Sequence, residues 1–278
     1  MILPAMSLLA IFGLVPLVAV LNYSFFDIFT LQDRFWVGPE WYGELVTTRD
    51  LFWSLLRSVF FSSLVIFVQF PLGIGIALLL PKNKILSGFA LMLVAIPLVI
   101  PWNMIPIIWL NMLHPDFGIL SAFFGEIGWD FDYKFNAVHT YLLLVVVDTW
   151  HWLGLVIILA YSGLSSIHPS YYQAARIDGA TRFAIFRFIE LPNIRGVLLM
   201  ALLLRTLDSL MIYTEAFAIN AGGPNDATSF LSLELGEEIA AFNYGPAAAR
   251  SVVYFLIVLS VAWVFRIQMQ RGPSERAS

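Results

Sequence analysis

Six apolar runs, each long enough to cross a bilayer, constrain this chain more than anything else in it. A hydrocarbon core needs about 20 predominantly apolar residues in a helix. Runs of that length recur near residues 2–24, 54–80, 89–113, 138–164, 191–213 and 247–267. In lipid every backbone N–H and C=O must be paired within its own helix or within a closed barrel. No period-two alternation suggests a barrel. The reading is therefore an all-α integral membrane protein, a single transmembrane domain over 1–278. A chain 60% hydrophobic and 12% charged, with a mean hydropathy of +0.83, is far more apolar than a soluble domain of this length. The first run lacks a basic front and a small-residue cleavage site, so it reads as a span and not as a leader. The chain has no Cys, which excludes disulfides and thiolate metal sites.

The signs of the loops orient the spans. Lys82 and Lys84 follow the second run, Arg176, Arg182, Arg187 and Arg195 follow the fourth, and Arg266, Arg271 and Arg276 close the chain. The opposite loops are acidic, with Asp27, Asp33, Glu40, Glu44 and Asp50, then Asp116, Glu126, Asp130 and Asp132. The loop after the fifth run holds Glu215, Asp226, Glu234, Glu237 and Glu238 without Lys or Arg. Cytoplasmic loops collect Lys and Arg, so both termini and segment 170–192 are expected in the cytoplasm. On the other side, the aromatic-rich stretch Phe25–Trp53 suits an interfacial helix or belt. Gly222-Gly223-Pro224 marks a turn, and Ser229–Phe242 has the spacing of a short amphipathic helix.

The insert between the fourth and fifth runs, SYYQAARIDGATRFAIFRFIELP, is polar. Ser170 is placed to cap a helix whose Gln173 reaches back to it. Gly179 supplies the left-handed residue that ends that helix, and Thr181 can cap a second one. Pro192 falls where proline opens the next apolar run. Such a helix–Gly–helix elbow between spans is a handle for another protein.

Gln173-Ala174-Ala175, Asp178-Gly179-Ala180 and Leu191-Pro192 give this elbow a further meaning. The segment resembles the EAA motif of ABC importer permeases, which docks in a cleft of a cytoplasmic ATPase. Gly163-Leu164-Ser165-Ser166-Ile167, Gly222-Gly223-Pro224, and Gly245 with Ala248 and Ser251 extend the likeness to the carbohydrate-uptake branch. Ile100-Pro101-Trp102-Asn103, Tyr213-Thr214-Glu215 and Gly245-Pro246-Ala247-Ala248-Ala249 look closest to glycerol- and polyol-type permeases. The resemblance implies a six-helix type I importer core with coupling helices in 170–190. It implies that Tyr172, Gln173, Ala174, Ala175, Asp178, Gly179, Ala180, Phe183, Leu191 and Pro192 couple to the ATPase. It also implies a second permease subunit, usually a different chain, two ATPase subunits, a substrate-binding protein, and placement in a bacterial inner membrane. Two positions depart from the pattern. Gln173 stands where relatives have glutamate, and Tyr213-Thr214 where they commonly carry Phe-Asp.

The chain has no G-x-x-x-x-G-K phosphate loop, so ATP and its magnesium are expected on the partner ATPase; no nucleic-acid partner is expected. A sugar or polyol site needs aromatic faces and hydrogen-bonding groups near mid-membrane. The third run offers Trp102, Asn103 and Trp109, the fourth offers Asp148, Trp150 and Trp152, and the fifth ends at Tyr213. Polar groups within spans are costly and favour a functional reading, although tryptophans also gather at interfaces and asparagines at helix contacts. Asp148 and His151, at i and i+3, read as a local hydrogen-bonded pair, and Arg205 and Asp208 as an ion pair. Arg250 is expected to snorkel to the interface. His114, His139 and His168 lack metal-ligand spacing. Few arginines lie in or near spans, which favours a neutral ligand over glycerol 3-phosphate. An ion-coupled secondary transporter would want inverted repeats and broken helices lined by acids, and no repeat is visible.

Overall fold

The computed structural model describes residues 2–30, 33–81 and 83–270; Lys82, Arg271 and Arg276 lie outside the described residues. Helix α1 (Ile2–Tyr23) is followed by a small antiparallel hairpin, β1 (Phe26–Ile28) and β2 (Arg34–Trp36), and by α2 (Glu40–Thr47). The aromatic stretch is thus strands and a short helix, with Phe25 and Phe26 packed on Trp36. Then come α3 (Asp50–Leu79), α4 (Lys84–Val99), α5 (Met104–Met112), α6 (Ile119–Glu126) and α7 (Ala137–Ser165). The elbow is α8 (Pro169–Ile177) and α9 (Arg182–Ile185), and α10 (Leu191–Leu210), α11 (Thr214–Asn220), α12 (Leu231–Ala240) and α13 (Tyr244–Gln270) complete the chain.

Four of these helices, α1, α3, α7 and α13, are long and apolar enough to span a membrane unaided; two bent pairs raise the number to six. Helix α7 is the axis of the bundle, packed against α3, α4 and α10. Half of its apolar window is buried within the chain, whereas the windows of α1 and α13 are not buried at all. Those two helices touch each other and turn their remaining apolar surface outward. Local signals set the starts: the Asn83 side chain accepts from Ile85 and Leu86 N–H at α4, and that of Asn136 from Val138 and His139 N–H at α7. Close contact between α4 and α7 depends on Gly154, where a Cβ would stand 2.1 Å from the Val94 carbonyl oxygen.

The run expected as a third span is broken. Helices α4 and α5 meet at 101° across Ile100–Asn103. Pro101 has no N–H, so the Pro97 carbonyl loses its usual i+4 donor. Ile100 N–H takes it at 3.2 Å. Backbone freed at a break in lipid must find such partners. Asp148 on α7 pairs with Gln69 and Arg205 and not, as the i, i+3 spacing suggested, with His151.

The fifth span also differs from expectation. It begins at Arg182, not near Leu191, and runs through a π-helical stretch, Phe186–Glu190, into α10. Pro192 lies inside this continuous helix. The missing N–H and the ring's clash with the preceding turn are absorbed by the wider π turn, in which Leu191 N–H reaches back to the Phe186 carbonyl. Helix α11 then leaves α10 at 42°.

Candidate functional site

The two broken spans meet against α7 and enclose a small pocket. Trp102 enters from the α4–α5 break, Tyr213 and Glu215 from the α10–α11 break, and Asp148 and Trp152 from α7, where they stand at i and i+4 on one face. Asp208 completes the polar wall. The cavity is about 60 Å³, room for a few waters and well below the roughly 300 Å³ at which small-molecule sites begin. Trp102 and Trp152 meet edge to face at 6.3 Å, and Tyr213 stacks on Phe217 at 5.7 Å.

Behind this wall lies a buried ionic network. Arg205, 0% exposed, donates from Nη2 to Asp148 Oδ1 at 2.6 Å, from Nε to Gln69 Oε1 at 2.8 Å, and from Nη1 to Asp208 Oδ2. Gln69 closes the ring by donating to Asp148 Oδ1 at 2.7 Å. The guanidinium carbon also lies 4.8 Å from the Trp152 ring centre. A charge in hydrocarbon is tolerated only when paired in this way. The network ties α3, α7 and α10 at one level, and a Ser62–Ser209 hydrogen bond of 2.5 Å adds a second tie between α3 and α10.

Of the residues proposed for ligand contact from sequence, Trp102, Asp148, Trp152 and Tyr213 come together at the pocket. Asn103 sits exposed at the start of α5 with its side chain making no cap bond. Trp109 and Trp150 pack edge to face on each other at 5.8 Å, against the apolar core. The Arg205–Asp208 ion pair is as expected. Gln69 escaped sequence reasoning, although a lone amide deep in an apolar run was a signal for it. Arg250 does not snorkel: it is buried, paired with Glu234 at 2.5 Å and Glu238 at 2.9 Å, and pins α13 to α12.

At the other end of α7 stands the elbow. His168, not Ser170, caps α8, its Nδ1 accepting from Ser170 N–H, with Pro169 in the first turn. The helix closes in a Schellman motif. Ala180 N–H reaches the Ala175 carbonyl at 2.9 Å and Gly179 N–H the Arg176 carbonyl at 3.2 Å, with Gly179 at φ +64°. Thr181 caps α9 by accepting from Ala184 N–H. Gln173, Ala174, Asp178 and Pro192 are exposed, Tyr172, Ala180 and Leu191 half-buried, and Ala175 buried. Ile177, Phe183 and Phe188 project with 87%, 71% and 73% exposure. Glu190, nearly fully buried, holds the elbow together: it accepts from Arg182 at 2.6 Å and from the Tyr172 hydroxyl at 3.3 Å. Burial, and after it the Glu190 charge, pushes the Tyr172 phenol above its ordinary range, so it remains a donor.

This architecture has relatives. Residues 69–271 match the family described as "Binding-protein-dependent transport system inner membrane component". The chain belongs to that family. The permease is 28% identical over 267 residues to the trehalose/maltose transport system permease protein MalF of Thermococcus litoralis, covering 95% of this chain and 90% of that one. It is 27% identical over 274 residues to the sn-glycerol-3-phosphate transport system permease protein UgpA of Salmonella choleraesuis, at 95% and 90% coverage. In fold it matches the crystal structure of a bacterial ABC transporter involved in import of the acidic polysaccharide alginate, with a TM-score of 0.84 over 98% of this chain and 94% of that chain at 19% identity. The fold is therefore that of a type I ABC importer permease.

Proposed function

We propose that the permease forms one half of the membrane channel of an ATP-driven importer for a neutral sugar or polyol. The observation that carries this reading is the pocket at the junction of the two broken spans, where Trp102, Trp152 and Tyr213 offer ring faces beside Asp148, Asp208 and Glu215. Ring faces suit the C–H surfaces of a sugar, and carboxylates accept from its hydroxyls. The relatives with named cargo are diverse: maltose or trehalose, lactose, diacetylchitobiose and sn-glycerol 3-phosphate. A glycerol-type polyol, favoured by the sequence likeness, stays within the proposed class.

The elbow is the coupling element in this reading. Two ATPase subunits bind ATP and magnesium, close, and move the Tyr172–Phe183 segment, with Ile177 and Phe183 as apolar knobs. The motion passes through α10 to the pocket and reorients it, a discrete shift between packed states. A second permease, most simply a different chain, supplies the other half, and a substrate-binding protein delivers ligand on the far side. The loop charges support a cytoplasmic side for both termini and the elbow, in what we take to be a bacterial inner membrane. The test is a thermal-shift screen of the cognate binding protein with glycerol, sugar alcohols, disaccharides and glycerol 3-phosphate, followed by uptake in vesicles bearing the full importer. Stabilisation and uptake of a neutral compound support the reading; selective uptake of the phosphate ester refutes it.

A further inference from the structure

The pocket wall presents three carboxylates, Asp148, Asp208 and Glu215, and the cation nearest to them is turned away. Arg205 is fully buried, stands outside the lining, and commits Nε, Nη1 and Nη2 to Gln69, Asp208 and Asp148. What remains facing the cavity is acceptors and hydroxyls: the Asp208 and Glu215 carboxylates with the Tyr213 and Thr214 side chains. Asp148 is drawn back into the network, only 5% of its side chain exposed, whereas Asp208 keeps 25%.

We propose that Asp208 and Glu215 are specificity-determining residues that set the charge of the ligand this pocket passes. They accept hydrogen bonds from neutral polyhydroxy ligands, bind their amino analogues more tightly, and exclude phosphorylated or carboxylated ones. The inference rests on the pocket being part of the translocation path. In a narrow cavity walled by apolar rings, like charges repel far more than in water. A ligand ammonium gains from the same field, and each carboxylate neutralised is expected to change the discrimination about tenfold.

The experiment uses the detergent-purified importer of both permeases and the ATPases, without binding protein, so that the outer receptor does not choose the ligand. Two probe sets are compared by thermal stabilisation: glycerol, serinol and glycerol 3-phosphate; and glucose, glucosamine and glucose 6-phosphate. In at least one set, the wild type is expected to bind the amine more tightly than the neutral parent and the phosphate least. Asp208→Asn and Glu215→Gln, made singly and together, leave the Arg205–Asp148 pair in place. They are expected to weaken the amine and tighten the phosphate by about tenfold per substitution. Equal affinity of the wild type for phosphate and parent overturns the inference, as does unchanged discrimination in the double variant. Trp102→Ala separates the two levels. If it abolishes binding of the neutral probe while the charge variants change nothing, the pocket reading stands and the charge filter falls. If it leaves neutral binding intact, or if no probe in either set stabilises the wild type, the pocket reading fails and takes the filter with it.

Discussion

Arg205 is a cation buried in a region meant for lipid, and its neighbours are best understood through that cost. Removing one partner of a buried pair leaves an uncompensated charge and destabilises by roughly 3–5 kcal/mol. Asp148→Ala is therefore expected to lower the stability of the purified assembly by about that amount, as read by thermal denaturation. Asp208→Ala, at a more exposed carboxylate, should cost clearly less. Equal losses would show that Asp148 is not the principal partner. Only part of this was legible in the sequence. Arg205 and Asp208 are three residues apart, and helical spacing alone brings them together. The Asp148–Gln69 bond spans 79 residues, and nothing local announces a contact at that separation. His151 shows the same limit: Asp148 is its near neighbour in sequence, but that carboxylate bonds Gln69 and Arg205 instead.

At the scale of single elements, the elbow owes its shape to Gly179 and Glu190. At φ +64° a Cβ costs about 1–2 kcal/mol, yet nothing lies within 4 Å of where it would stand. Gly179→Ala should therefore strain the turn without a clash. ATP hydrolysis by the assembled importer is expected to persist while uptake per ATP falls, a ratio measured in proteoliposomes. Glu190→Gln keeps the shape but removes the charge that Arg182 and Tyr172 address. It should cost about 1 kcal/mol and speed amide hydrogen exchange across α8, with α7 unchanged. The position of the elbow could be read from residue types because polar, glycine-containing sequence between apolar runs admits little else. Its edges could not. Ser170 has the look of a cap, but His168 followed by Pro169 does the capping, and Pro192 looked like a beginning because nothing in composition distinguishes a first turn from a π turn that accommodates proline.

For the molecule as a whole, the apolar windows of α1 and α13 hold almost no buried residue, and the pocket holds about 60 Å³. Both fit one half of a larger channel. The chain expressed alone in vesicles is expected to transport none of the neutral probes, and an ATPase should copurify when its neighbours are present; uptake by the isolated chain would contradict the proposed assembly. Apolar run lengths placed the helices near enough to assign the class. They could not foresee that two spans break: an apolar run keeps its composition through the bend at Pro101, and the bend at Met211–Tyr213 carries no proline at all. The second of the broken spans carries a further oddity. The π stretch at Phe186–Glu190 stores one residue more than an α turn would use. Were it to tighten, everything from Leu191 onward would rotate by about 100° and slide about 1.5 Å along its axis. A push at the cytoplasmic end could then emerge near Asp208 as a twist.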